Sequence, residues 1–293
     1  MPKAKKCNNE RQYIMKKIFI LAMVALGLLA CKDEPINPFS TTGALPGKFS
    51  VAEGKQVHFS QGNLQYKAIS HTWRFAVRQY DVIGEANEKI SPTYDGWIDL
   101  FGWGTGNAPT KHSILSSYIK FHEWGANAIN NGGNKANQWR TLTYMEWDYL
   151  VNSRANAADL QGQAWINGVY GYVLLPDNWI TPDGLNFNNG DKYNQYTASQ
   201  WAKMEKAGAV FLPAAGRRGT KNDPEPLGSP EVIRSSIDYW SATPFYSEDA
   251  YCLVCRWCDW WSSDGSEGRD METFFSCTSR ATGMSVRLVK DVE

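Results

Sequence analysis

The chain has 293 residues carrying 30 basic and 30 acidic side chains, so its formal net charge is zero. Nothing in that balance recommends nucleic acid, whose binding is dominated by neutralisation of phosphates. With 13% aromatic residues and 25 glycines, the composition fits neither a helical bundle nor a disordered chain; it describes a loop-rich, β-containing globular protein.

The first element is an address. From Met15, MKKIFILAMVALGLLAC supplies Lys16-Lys17, an apolar run from Ile18 to Leu29, and Ala30-Cys31. That run, about a dozen residues, is short for the roughly twenty a spanning helix needs and matches a secretory signal. Residues 1–30 are therefore expected to be a signal peptide whose true start is Met15, which leaves Cys7 without a role. Leu28-Leu29-Ala30-Cys31 looks like a bacterial lipobox, implying cleavage before Cys31 and lipidation of that cysteine. Two or more acyl chains give a stable anchor, each buried methylene contributing about 0.8 kcal/mol. Residues 31–44, polar and proline-bearing, read as a lipidated tether. The expected location is the cell envelope, as an outer-membrane lipoprotein exposed at the cell surface, although Lys32-Asp33-Glu34 is only a weak sorting signal.

A single domain is expected over 45–293. GKFSVAEGKQVHFSQGNLQY has hairpin patterning, with Val57-His58-Phe59 and Leu64-Gln65-Tyr66 bounded by glycines. TWRFAVRQYDVIG reads as a further strand. Residues 91–137 are rich in Gly, Asn and aromatics and read as long ordered loops pinned by Trp97, Trp103 and Trp124. In TLTYMEWDYLVNSR, Thr143 and Glu146 form a capping box, with Met145, Tyr149 and Leu150 along one helix face. In TASQWAKMEKAG, Thr197 and Gln200 form a second box and Gly208 stops the helix. GVYGYVLLPDNW and GAVFLPAAGRRG read as short buried strands, followed by strands around Tyr239–Thr243 and in GMSVRLVKD. The fold class is α+β: two helices among short strands and long loops.

NQWRTLTYMEWDYLVNSR, GYVLLPDNW, GAVFLPAAGRRG, YWSATPF and GMSVRLV occur in the order seen in a group of bacterial secreted and lipoprotein domains. On these motifs, the chain resembles the C-type lectin-like fold, in the branch of formylglycine-generating enzyme and the phage major tropism determinant. It also resembles the variable proteins of diversity-generating retroelements, in which a C-terminal segment is rewritten by adenine-directed mutagenesis on a fixed scaffold. The resemblance implies a variable segment at about 237–283 and a ligand-binding face made of Asp238, Tyr246, Glu248, Cys252, Val254, Arg256, Asp259, Trp260, Ser279, Ala281 and Thr282. Mutated AAC codons yield many of the residue types there; tryptophan requires a different parental codon. Cys252, Val254 and Arg256 alternate at period two and so share one strand face. Ser279, Ala281 and Thr282 precede the closing strand, and Trp260 is the expected aromatic anchor.

AYCLVCRWCDWWSSDGSEGRDMETFFSC, from Ala250 to Cys277, holds four of the six cysteines and three of the thirteen tryptophans. An iron–sulfur pattern is disfavoured, because alternation on a strand puts Cys252 and Cys258 on one face and Cys255 on the other. A disulfide between Cys277 and one of those three suits an exported protein. A thiol enzyme of the formylglycine-generating type is a rival, but no RGGSW-like run is present and His58, His71, His112 and His122 all lie far upstream.

Other chemistry is thin. DGLNFNNGDKYN lacks the spaced carboxylates of a calcium loop, and Asn-rich turns account for it. Glu225-Pro226-Leu227 and Asp177-Asn178-Trp179 do not match the calcium-dependent sugar motifs of animal C-type lectins. Glu146-Trp147-Asp148 reads as capping, Arg217-Arg218 as turn solvation, and Trp240 and Arg287 as structural. No phosphate-binding glycine loop occurs. The expectation is a surface-displayed receptor or adhesin, not an enzyme, with no metal and no cofactor, binding an unknown protein or glycan through its C-terminal face. The alternative is a cell-envelope domain with a fixed structural role.

Overall fold

The computed structural model describes residues 42–111, 120–189, 194–219, 236–261 and 267–293, with side chains within strands omitted for 256–261 and 267–274. The signal, Cys31, most of the tether and His112 lie outside the described residues. The chain divides into a short unit, Met1–Pro38, and a main unit, Phe39–Glu293, to which all the described residues belong.

The main unit is α+β, mostly sheet. It opens with β1 (Phe49–Ala52) and β2 (Lys55–Phe59), an antiparallel hairpin. Its turn holds Gly54 at φ +68°, a left-handed conformation that glycine adopts without Cβ strain. β3 (Leu64–Lys67) pairs with β4 (Thr72–Phe75) and β5 (Trp97–Ile98). The strand expected over TWRFAVRQYDVIG ends at Phe75. Beyond it the chain leaves the sheet, and Gln79 is tied instead to the strand Val210–Pro213 and the residue before it, donating to Ala209 O at 3.0 Å and accepting from Phe211 N at 2.7 Å. The aromatic loops follow, with Trp103 and Trp124 fully buried and Trp97 under the Arg74 guanidinium at 3.8 Å.

After β6 (Arg140–Thr141) comes α1 (Tyr144–Asp148), running into a π-helical turn, Tyr149–Ser153. The Thr143/Glu146 capping box is present. The buried face is Trp147, Leu150 and Val151, spaced i, i+3, i+4. Met145, expected on that face, is 66% exposed, because it lies about 200° around the helix from Trp147. Glu146 also accepts from Lys55 at 2.7 Å and Arg140 at 2.8 Å, and Arg140 reaches Asp291 at 2.6 Å. Burial raises the Glu146 pKa, but these donors outweigh it and hold the carboxyl down at about 2.

β7 (Gln161–Ile166) and β8 (Val169–Leu174) form a hairpin flanked by β9 (Asn194–Tyr196) and β10 (Val210–Pro213). Between β9 and β10 lies α2 (Ala198–Lys206), capped by Thr197 and Gln200 and ended by Gly208 at φ +104°. β11 (Ser236–Phe245), β12 (Asp249–Trp261) and β13 (Glu267–Ser279) form a three-stranded antiparallel sheet. β14 (Leu288–Asp291) closes the chain between β2 and β6. The closing strand expected over GMSVRLVKD starts only at Leu288. Gly283, Met284 and Ser285 make single bridges to Arg218, Phe101 and Tyr239.

Arg287 is buried to 1% exposure and donates to Ser60 O at 3.1 Å and to Phe211 O. Burial lowers its pKa to about 10. Arg218, expected as turn solvation, is instead 3% exposed, with its backbone paired to Gly283.

Candidate functional site

β12 runs between two cores. Leu253 and Cys255 join Phe49, Trp147 and Tyr239 in one cluster; Ala250, Cys252 and Val254 join Trp73, Phe101 and Trp240 in the other. The alternation expected from the sequence holds, but both faces of this part of the strand are covered. Cys252 is 1% and Val254 6% exposed. Asp238, opposite Val254 in the register, is 3% exposed, and Ala281 and Thr282 are also buried. These five residues are therefore withdrawn from the expected ligand face. A strand packed on both sides has a nearly continuous apolar run, which periodicity alone does not distinguish from a half-exposed strand.

The cysteines divide accordingly. Cys277 forms no disulfide with Cys252 or Cys255, the two other cysteines whose side chains are described. Cys252 faces Ser276 in the register while exposed Cys277 faces Tyr251, which places the two thiols on opposite faces of the sheet. Burial pushes the Cys252 thiol pKa well up, and its Sγ donates to Ser276 O at 3.5 Å. The Cys258 side chain lies outside the described residues.

Three expected residues do converge. Tyr246 and Glu248 are exposed in the β11–β12 turn, and half-buried Ser279 pairs with Asp249 where the turn re-enters the sheet. Tyr246 is 81% exposed at φ +47°, a conformation costly for a bulky side chain. Such strain persists only where the surroundings over-determine it, and here Arg280 does so. Its guanidinium donates to Tyr246 O at 2.7 Å and Asp249 O at 2.9 Å, and its backbone N–H donates to Glu248 O at 2.9 Å. The guanidinium also lies 4.4 Å from the Trp103 ring centroid.

From this turn a row of rings runs across the sheet to α1. Tyr246 meets Phe245 at 4.4 Å, Phe245 meets Tyr251 at 5.0 Å, Tyr251 stacks on Tyr144 at 4.5 Å, and Tyr144 meets Phe275 at 4.9 Å. The last four rings are half-buried. Tyr144 is fixed by its backbone N–H, which donates to Thr243 Oγ1 at 3.0 Å. Sequence reasoning missed Tyr144, Phe245, Tyr251, Phe275 and Arg280. Tyr251 was within reach, since it continues the 251, 253, 255 alternation; the Arg280 clamp has no local signal.

Arg256, Asp259 and Trp260 occupy β12 opposite Glu272, Arg269 and Gly268, and their side chains lie outside the described residues. At about 3.3 Å per residue, Trp260 is on the order of 35 Å along the strand from Asp249. The single patch expected to join Trp260 to Ser279, Ala281 and Thr282 is thus corrected: these positions lie towards opposite ends of the hairpin. No family model matches the chain, and comparison with curated proteins and with solved structures finds no match either.

Proposed function

We propose that this chain is a lipid-anchored binding module of C-type lectin-like fold, displayed at the cell surface, whose C-terminal hairpin contacts a protein or glycan ligand. It is not an enzyme on this reading. The observation that carries the proposal is the clamped turn: an exposed tyrosine in a strained backbone, held by a buried arginine whose hydrogen bonds go to that turn. Exposed tyrosine on a rigid support suits recognition, because few rotatable bonds are frozen on binding. Cys252 is buried and its thiol pKa is pushed up, which makes that cysteine a poor nucleophile for the thiol-enzyme alternative.

The resemblance to retroelement variable proteins gives the proposal its biological form. Rewritten positions would be tolerated where packing is not at stake, as at Tyr246, Glu248 and Ser279. A near-copy of the gene's 3′ end differing at adenines, beside a reverse transcriptase, tests that part. The deep burial of Trp240, Cys252 and Cys255 favours a second reading, a cell-envelope domain with a fixed structural role. Binding of the intact protein to surface material from its native microbial community separates the two. A Tyr246→Ala/Glu248→Ala/Ser279→Ala variant that folds and loses binding supports the module. Retained binding in that variant, with loss on changing Ile180, an exposed residue on another loop, moves the site elsewhere.

A further inference from the structure

The chemistry around the ring row narrows the class of ligand. Glu248 is exposed two residues after Tyr246 in the same turn, half-buried Asp249 follows it, and half-buried Asp148 lies on α1. Among the described side chains of α1, 236–255 and 275–280, Arg280 is the one basic group. It is 7% exposed and engaged with backbone carbonyls and the Trp103 ring. Beside α1, Lys55 and Arg140 are paired with Glu146; the turn end of the face offers aromatic rings and carboxylates without an exposed cation of its own among those side chains.

A ring face carries negative charge density and attracts ammonium or guanidinium groups within about 6 Å. Carboxylates add charge-assisted hydrogen bonds to the same groups. We infer that this face takes a basic polypeptide segment, with a Lys or Arg side chain seated against Tyr246 and paired with Glu248. The inference rests on the binding-module reading and adds the partner's chemistry to it. The turn is rigid in the way such a contact needs. Arg280 holds the Tyr246, Glu248 and Asp249 carbonyls, so the backbone that carries the ring and the carboxylate is fixed before any ligand arrives.

Fluorescence anisotropy of the intact protein with a labelled decapeptide of alternating Lys and Gly provides the test. Saturable binding is expected. Tyr246→Leu, which keeps apolar bulk but removes the ring, weakens it about two- to fivefold, the range for an exposed cation–π contact. Tyr246→Phe retains it, and Glu248→Gln weakens it while flattening its salt dependence. Circular dichroism confirms that each variant is folded. Absence of binding, or binding indifferent to both Tyr246→Leu and Glu248→Gln, overturns the inference. So does a preference for the alternating Glu–Gly peptide or for a neutral oligosaccharide. If that preferred probe is itself weakened by Tyr246→Leu, the face remains the ligand site and only the cationic class is lost.

Discussion

Tyr246 and Trp240 lie six residues apart in the chain and carry opposite burdens. Trp240 is 1% exposed and donates its indole N–H to Phe101 O at 2.7 Å; Leu288 is fully buried in the same core. Truncating either to Ala leaves a cavity and is expected to cost about 2–5 kcal/mol in denaturant melts. Ser279→Ala, at the half-exposed sheet end, should stay within about 0.5 kcal/mol. Tyr246 behaves in the reverse sense. Because its left-handed backbone suits glycine, Tyr246→Gly should raise stability by about 1 kcal/mol while removing the ring offered to a ligand. A thermal melt checks this, and a clear loss of stability in the glycine variant would mean that the turn is not strained. At this scale the sequence was legible for Trp240, whose neighbours mark a core strand. It was misleading for Cys252 and Val254, because alternation reports two faces and not which of them is open.

Elements were easier to read than their packing. Both capping boxes formed as their Thr-x-x-Glu/Gln spacing requires, since that motif is satisfied entirely by local backbone. The α1 face differs from expectation because Trp147, Leu150 and Val151 outcompete Met145 and Tyr149 for the core. What ties α1 to three distant strands was invisible locally: Lys55, Arg140 and Asp291 come from β2, β6 and β14. The acid response of the fold should report this junction. The Glu146 pKa falls to about 2 in the fold against an ordinary 4.5, so its contribution is fully present above pH 4.5 and is lost as pH drops towards 2. Glu146→Gln keeps the N3 cap acceptor but not the charge. Its stability against pH should therefore lie below wild type at neutral pH and fall less steeply between about pH 4.5 and 2, as followed by urea midpoints. Parallel curves for the two proteins would show that these ion pairs contribute nothing there.

For the whole molecule, the proposal joins an anchor read from sequence to a face read from structure. On the proposed reading Cys31 is lipidated, and Cys31→Ser should move the protein from the detergent phase to the soluble fraction and abolish palmitate labelling. A wild-type protein that is soluble and unlabelled would remove the anchor. The α+β class was legible in the chain, because strand alternation, glycine turns and helix caps are local signals. The candidate site was only partly legible: Tyr246, Glu248 and Ser279 were named, but bringing them to one end of the sheet depends on the β11–β12–β13 register and on Arg280 reaching back across the turn. The claim that this turn is where a ligand is held is tested most directly by photo-crosslinking. A benzophenone amino acid is placed at Ser247, exposed in the same turn, in one protein and at Ile180 in another, each full-length protein exposed to its native community. Ile180 is 82% exposed, on the loop whose Trp179 packs with a third core around α2. A ligand held at the turn gives a discrete adduct from position 247 and none from 180; adducts from 180 with none from 247 would contradict that placement.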